Sequence, residues 1–398
     1  MSEEVKILFV DDDQAILSSI ERNFRRKPQW SAKYISDPQK AADLLREDSF
    51  DVLVSDFDMP GMNGFELMKI AKDQYPSSIR IMLSASEFVL TSPGDVIAHQ
   101  VITKPWNVNN FIKSLDRILK TRVFLRGSQI SDSAERVESL PSVPDILLEL
   151  NRVLSSTTSS TNAIARVISL EPAMAAKMLQ LANSAFFRRG SIPVLSITKA
   201  VLHLGVATIK SVATSLAIFR SFSPSVEIKG FSIDKLRSDS EMTAMLAANM
   251  FKDSKTKEIA FAAGLLRFSG ILVLASQMPK YLEEIIFESK KLQQPIIVTE
   301  KEKSGIDHSS IGAYLLGMWG LPEVLVDAVA GQYSPPEAKP SELTVKNAVF
   351  FASAIIDSIS GNSYDSFDKL ITKELIDGMQ IENDLKEWKK VAASLYSL

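Results

Sequence analysis

Residues 5–120 alternate between short apolar runs and segments in which apolar residues recur at helical spacing. The runs lack polar alternation, which is typical of strands buried on both faces of a parallel sheet. In the first helical segment, Ile16, Ile20 and Phe24 recur every four residues. Five strand–helix units of this kind predict a doubly wound α/β domain with a five-stranded parallel sheet and right-handed crossovers. The predicted strands are 6–10, 33–36, 51–56, 79–85 and 100–104.

Polar residues end four of these runs, in the stretches FVDDD (9–13), VSDFDMPGMNG (54–64), MLSA (82–85) and TKP (103–105). Because the carboxyl ends of parallel strands share one edge of the sheet, these stretches should line a single crevice. Clustered carboxylates repel one another unless a hard divalent cation lies between them. With a hydroxyl and an ammonium beside them, they predict a phosphoryl group on Asp56 next to Mg²⁺. The crevice would hold Asp11, Asp12, Asp56, Ser84 and Lys104.

These residues resemble the receiver domain of two-component response regulators, and the resemblance covers residues 4–122. It implies that Asp56 accepts a phosphoryl group from a histidine kinase or a phosphotransfer protein. It also implies that Ser84 follows this group on activation and that Lys104 forms an ion pair with it. The same resemblance implies a Mg²⁺ ion held by Asp11, Asp12, Asp56 and the backbone carbonyl of Asp58.

Two features depart from the pattern of receiver domains. Val101 stands three residues before the lysine, where receivers usually carry Phe or Tyr. Ser92-Pro93-Gly94 interrupts the fourth helical segment, because proline breaks a helix. Both features indicate that the structural response to phosphorylation differs from the usual relay.

From Leu140 onward the sequence predicts an all-helical region. Five stretches of it resemble HDOD domains, relatives of HD-type metal phosphohydrolases, and the resemblance spans residues 138–336. They are residues 140–154, 170–187, 197–205, 262–274 and 305–322. The predicted helices are 144–154, 160–169, 172–183, 193–203, 206–220, 232–251, 257–276, 279–292, 308–318, 322–332 and 341–360, with a further amphipathic helix in 361–398.

The metal ligands that name the HD family are missing from this region. The His-Asp dipeptide position reads Arg267-Phe268, an earlier histidine position is Asp239, and a later His-His position is Gln332-Tyr333. Only His308 survives, and one imidazole cannot build a catalytic metal site, which usually needs three protein ligands. Arg267 would also place a positive charge where a cation should bind. The pattern predicts a catalytically silent domain, in which His308 packs at a helix start beside Asp307.

Length and composition set the remaining limits. A chain of 398 residues is expected to form two or three domains. The predicted order is a receiver at 1–122, a linker at 123–139, an HDOD domain at 140–340 and C-terminal helices at 341–398. The net charge of −3 gives no global argument for nucleic acid or membrane binding, and the absence of cysteine excludes disulfides and thiolate zinc sites. No apolar signal core is present, so the sequence predicts a cytoplasmic protein.

We interpret the sequence as a response regulator that is not an enzyme and that signals through protein contacts of its HDOD domain. One alternative is a receiver-controlled, metal-dependent cyclic-dinucleotide phosphodiesterase of the HD class. Another is direct binding of nucleic acid, which no helix-turn-helix pattern or basic stripe supports. The downstream partner is not indicated, and residues 341–398 could form a homodimer face.

Overall fold

The computed structural model describes residues 5–25, 30–84, 97–104, 106–126, 141–155, 160–184, 186–187, 193–339, 342–360 and 370–396. The chain divides into two compact units. The first comprises residues 1–160 with 317–320, and the second comprises residues 161–316 with 321–398.

The first unit contains the predicted five-stranded parallel sheet. Its strands are Val5–Val10 (β1), Trp30–Ile35 (β2), Val52–Asp56 (β3), Ile79–Ser84 (β4) and Gln100–Thr103 (β5), in the order β2-β1-β3-β4-β5. The register pairs Val10 with Ser55, Asp56 with Leu83, and Ser84 with Thr103. The carboxyl ends of β1, β3, β4 and β5 therefore lie side by side at one end of the sheet. The parallel five-stranded sheet confirms the predicted fold class.

Besides the helix Asp145–Ser155, the described part of this unit has four helices that lie between or directly after the strands: Gln14–Phe24 (α1), Pro38–Glu47 (α2), Gly64–Gln74 (α3) and Val108–Arg126 (α4). The start of α1 is capped by Asp13, whose carboxylate accepts a hydrogen bond from the Ala15 N–H. Asn63 and Glu66 form a reciprocal capping box at the start of α3. These caps fix where each helix begins, and so they hold the loops that follow β1 and β3. The Ser92-Pro93-Gly94 interruption lies outside the described residues.

Gly64 allows α3 to begin directly against the end of β3. A Cβ atom at this position would lie 2.1 Å from the carbonyl oxygen of Asp56. That carbonyl also accepts a hydrogen bond from the Ser55 hydroxyl at 2.8 Å. The absence of a side chain at residue 64 is therefore required for the backbone of Asp56 to keep its place.

The remainder of the described chain is helical, as predicted. Residues 257–276 were predicted as one helix, but the structure has two, separated at Leu266–Phe268. The helix Ile296–Ser304 was not predicted. The helices are Asp145–Ser155, Thr161–Ser169, Pro172–Ala182, Ile197–Leu204, Val206–Ser221, Ile233–Asn249, Ser254–Leu265, Ser269–Gln277, Pro279–Leu292, Ile296–Ser304, His308–Met318, Glu323–Ala330, Val345–Ser360, Lys373–Met379 and Glu382–Tyr396.

The centre of the second unit is formed by three helices that pack on one another: Ile233–Asn249, Ser254–Leu265 and Val345–Ser360. The last of these is buried along most of its length and belongs to the C-terminal segment. In the described residues one stretch, Ser254–Gln277, has the length and mean hydropathy (1.9) of a membrane span, yet 89% of its apolar window is buried inside the protein. Burial of this kind is what a core helix shows.

Replacing Gly64 with Ala should destabilise the first unit by about 3 kcal/mol, because the new methyl group would collide with backbone rather than with a movable side chain. Gly61→Ala is the matched control. Gly61 has a φ of +85° but nothing within 4 Å of its Cβ position, so only about 1 kcal/mol of backbone strain is expected. Chemical denaturation of both variants would measure the difference, and equal losses would contradict the close approach at Gly64.

Candidate functional site

Three carboxylates meet at the sheet edge where β1 and β3 end. Oxygen atoms of Asp11, Asp12 and Asp56 lie within 4.8 Å of one another. Asp11 and Asp56 are buried, whereas Asp12 is exposed and faces the opening of the site. Carboxylate oxygens are the ligands that Mg²⁺ prefers, so these residues fit the predicted ion.

Lys104 supplies the positive charge of this edge. Its Nζ lies 2.5 Å from Asp56 Oδ1 and 3.4 Å from Asp11 Oδ2. Burial opposes the charged ammonium, but the hydrogen bonds and charges of Asp56 and Asp11 outweigh burial and raise the pKa of Lys104. Burial also raises the pKa of Asp11, against the Asp13 N–H and Lys104, which lower it. One ammonium thus faces three carboxylates, and the surplus negative charge favours a divalent cation.

The other predicted residues lie where strand order places them. Ser84 is the last residue of β4 and is buried, and its carbonyl accepts a hydrogen bond from the Lys104 N–H at 2.7 Å. The Asp58 side chain is exposed, which is compatible with the prediction that this residue binds Mg²⁺ through its backbone carbonyl alone. Val101 is half-buried and packs against the hydrophobic core of this unit. The roles of these side chains remain predictions.

In the second unit, Asp239 and Gln332, two of the positions that the resemblance assigns to HD metal ligands, lie close to the side chain of Arg267. Its guanidinium is fully buried and donates two hydrogen bonds to Asp357, at 3.0 and 2.7 Å. It donates further hydrogen bonds to Gln332 Oε1 at 3.1 Å and to Thr243 Oγ1 at 3.2 Å. It also stacks 4.2 Å above the Phe268 ring. Arg267 therefore occupies the centre of a shell of oxygen atoms.

A second carboxylate, Asp239, belongs to the same buried cluster. The Tyr396 hydroxyl donates a hydrogen bond to Asp239 Oδ1 at 3.1 Å. Burial, followed by the like charge of Asp357, raises the pKa of Asp239, while Arg267 lowers it. Sequence reasoning missed Asp357 and Tyr396, because both follow the region that resembles an HDOD domain. The available signal was that Asp357 is the one acidic residue in the apolar helix Val345–Ser360.

His308 has both of its ring nitrogens engaged. Nδ1 lies 2.8 Å from Glu300 Oε2, and Nε2 lies 2.8 Å from the Tyr333 hydroxyl. The backbone N–H of His308 donates to the same Glu300 oxygen at 3.0 Å. Asp307 accepts hydrogen bonds from Ser309 and Ser310 at the start of the helix that His308 opens. His308 thus packs at a helix start, and its nitrogens are used by protein partners.

Two protein families match the sequence. The response regulator receiver domain matches residues 7–116, and the HDOD domain matches residues 140–335. The chain therefore carries an N-terminal response regulator receiver domain followed by an HDOD domain. The two predicted resemblances are confirmed.

Relatives match parts of the chain. An uncharacterized protein of Treponema pallidum is 24% identical over 233 residues, which are 58% of this chain and 44% of that protein. A two-component response regulator of Arabidopsis thaliana is 40% identical over 83 residues, which are 20% of this chain and 14% of that protein. The chain thus spans less than half the length of either relative.

Two solved structures are similar to separate parts of the chain. An HDOD domain protein of unknown function from Geobacter sulfurreducens shares 18% identity at a TM-score of 0.45, covering 71% of this chain and 99% of that one. The signal receiver domain of an HD domain-containing protein from Pseudomonas fluorescens shares 24% identity at a TM-score of 0.28, covering 30% of this chain and 96% of that one.

Replacing Arg267 with Met should destabilise the second unit by about 3–5 kcal/mol, because Asp357 would stay buried without its counter-charge. The loss should also depend on pH. Without Arg267, which lowers it, the already raised pKa of Asp239 should rise further. A carboxyl whose pKa is raised in the folded state lowers the free energy of unfolding once the pH exceeds its unfolded pKa of 3.8. Chemical denaturation should therefore show a deficit that grows from acid toward neutral pH.

Two further variants make this prediction specific. Arg267→Met combined with Asp357→Leu removes both charges and should recover most of the loss. Arg166→Met, at an exposed arginine of the same unit, should stay within about 0.5 kcal/mol of the wild type. A double variant as unstable as Arg267→Met alone would contradict the pairing argument.

Proposed function

We propose that this protein is a phosphorelay response regulator that is phosphorylated on Asp56 and signals through protein contacts of a metal-free HDOD domain. The observation that carries the proposal is the meeting of the Asp56 carboxylate with Lys104 Nζ at 2.5 Å, beside Asp11 and Asp12, at the edge of a parallel sheet. A nucleophile, a fixed cation and a set of ion ligands are what phosphoryl transfer to a carboxylate requires.

In the proposed reaction, an Asp56 carboxylate oxygen attacks the phosphorus of a phosphohistidine on a histidine kinase or phosphotransfer protein. The O–P bond forms as the P–N bond breaks, and the departing imidazole takes up a proton. Asp11, Asp12, Asp56 and the carbonyl of Asp58 would hold Mg²⁺, which supplies charge neutralisation at the transferred group. Lys104 would exchange its contact with the Asp56 oxygen for one with a phosphoryl oxygen.

The product carries about 1.5 to 2 negative charges at the end of β3. Ser84, on the neighbouring strand, can donate its hydroxyl to the new group, and Lys104 can pair with it. Each contact favours the conformer in which it forms, so phosphorylation shifts the population between two conformers. The change is the output of the receiver domain.

The proposal that the HDOD domain is catalytically silent is supported by the cluster around Arg267. A permanently charged guanidinium takes the oxygen ligands of Asp357, Gln332 and Thr243. A metal ion in this place would meet that charge directly. The retained His308 has no nitrogen left for a metal because Glu300 and Tyr333 engage both. Arrangement and charge both argue against phosphodiesterase activity.

Acetyl phosphate with Mg²⁺ should add one phosphoryl group to the wild-type protein and none to Asp56→Asn. Intact-protein mass spectrometry would measure the addition, since the carboxylate of Asp56 is the proposed nucleophile. The matched control is Asp58→Asn, at an exposed carboxylate two residues away, which should be labelled like the wild type. Equal labelling of wild type and Asp56→Asn would show that the acceptor is another residue.

The purified protein should hydrolyse no cyclic dinucleotide in the presence of added Mg²⁺ or Mn²⁺, because Arg267 fills the centre of the former ligand set. Any divalent metal retained by the protein should disappear in the double variant Asp11→Asn with Asp56→Asn. Turnover assays and elemental analysis would test both statements. Hydrolysis that persists in this double variant would instead support the phosphodiesterase alternative.

A further inference from the structure

The net charge of the chain hides a strong local bias. Residues 161–226 contain seven lysines and arginines but a single acidic residue, Glu171, in a chain whose overall charge is −3. The whole-chain charge averages this segment with a more acidic remainder. The first helices of the second unit are therefore a basic region.

Some of these cations are neutralised within the protein and others are not. Lys177 pairs with Glu241 at 2.5 Å, and Arg220 pairs with Glu171 at 3.0 Å. Arg166 and Lys199 are exposed and have no ion-pair partner among the described residues. Two exposed positive charges are thus left for an outside partner.

Three leucines accompany these two cations on the protein surface. Leu170, Leu195 and Leu202 are 77%, 85% and 68% exposed, the largest exposures of apolar side chains in the described chain. Leu170 directly follows the helix Thr161–Ser169, and Leu195 precedes the helix Ile197–Leu204. On the latter helix Lys199 and Leu202 are three residues apart, as on one face. Apolar side chains that water surrounds in this way favour burial by a partner.

The two groups belong to one pair of neighbouring helices. Thr161–Ser169 and Ile197–Leu204 pack on each other, and near their first residues the Thr198 hydroxyl lies 3.4 Å from Asn162 Oδ1. Both helices run on from this contact toward Leu170 and Leu202. Together the exposed residues form a surface that we name the leucine–cation face: Arg166, Leu170, Leu195, Lys199 and Leu202.

We propose that the leucine–cation face is the docking site for an acidic amphipathic helix of a partner protein. Such a helix would place apolar side chains against the three leucines and carboxylates against Arg166 and Lys199, the arrangement used when a helix binds in a groove. Charge complementarity selects an acidic partner, and the exposed leucines require an apolar face on it.

Nucleic acid fits this face less well. Its binding uses aromatic side chains that stack on bases, together with cations on the phosphates. The aromatic residues Phe186 and Phe187 instead contact Phe261: Phe186 stacks on it at 6.4 Å between ring centroids, and Phe187 meets it edge-on at 5.3 Å. Leucine offers neither stacking nor hydrogen bonds to bases.

This inference rests on the proposed output through protein contacts, for which it names a surface and a partner chemistry. It does not depend on phosphorylation of Asp56. The binding test is therefore run on the full-length, unphosphorylated protein and repeated with Asp56→Asn, which should bind equally. A failure to label Asp56 would then leave the docking result unaffected. A failure of the peptide to bind would likewise leave the phosphorylation result unaffected.

The probe is a fluorescent synthetic helical peptide with leucines on one face and glutamates on the other, and fluorescence anisotropy measures its affinity. Its counterpart with lysines in place of the glutamates is the peptide control. Leu195→Ser with Leu202→Ser, and separately Lys199→Glu, should each weaken binding of the acidic peptide by about tenfold or more. Rising salt should also weaken it, since exposed charges contribute.

Matched variants outside the face should leave affinity unchanged: Leu292→Ser, at a leucine that is 56% exposed, and Lys389→Glu, at an exposed lysine. Equal binding of the acidic and basic peptides would overturn the proposal, as would unchanged affinity in the leucine double variant. Displacement of the peptide by RNA or by anionic vesicles at lower concentration than unlabelled peptide would overturn it too, in favour of those ligands.

Discussion

The buried ion pair between Arg267 and Asp357 is the interaction on which the second unit most depends. It joins the turn after Ser254–Leu265 to the C-terminal helix Val345–Ser360, with distances of 3.0 and 2.7 Å. Neither charge can reach water, so each is tolerated only because the other is present. Residues beyond the HDOD match thereby complete the polar centre of the HDOD domain. Most of the HDOD match, residues 161–316 and 321–335, and the C-terminal helices belong to the same compact unit.

Buried charges must also be neutralised in the receiver, but there they are neutralised in a different way. There the buried Asp11 and Asp56, with Asp12 at the opening, share one ammonium from Lys104. The three carboxylates carry more negative charge than one ammonium can neutralise. A mobile cation can neutralise the remainder, and a phosphoryl donor could then react at the site. Around Arg267 the covalently attached guanidinium fills the comparable position and cannot leave. The carboxylates of the receiver can therefore still bind a cation, whereas those around Arg267 already face a positive charge that is fixed in place.

The sequence predicts those interactions that strand order determines, and it does not predict those between residues far apart in the chain. The sheet and the placing of Asp11, Asp56, Ser84 and Lys104 at its edge were predictable, because strand period and strand order alone determine that edge. The split of the predicted helix 257–276 was not, since it occurs where Arg267 turns toward distant oxygens. Asp357 and Tyr396 reach the cluster from 90 and 157 residues away, and local patterns carry no such information.

If Asp56 is phosphorylated as proposed, the receiver would have to transmit the change of charge without an aromatic side chain at residue 101. Val101 is branched at Cβ and packs on the core, so it has no ring to rotate inward. One link beside the site is the hydrogen bond from the Lys104 N–H to the Ser84 carbonyl, which joins the ends of β4 and β5 at 2.7 Å. A phosphoryl group that attracts both the Ser84 hydroxyl and Lys104 Nζ would therefore move these two strand ends together. In the proposed phosphorelay, a displacement that begins at Asp56 would therefore reach the ends of β4 and β5 first.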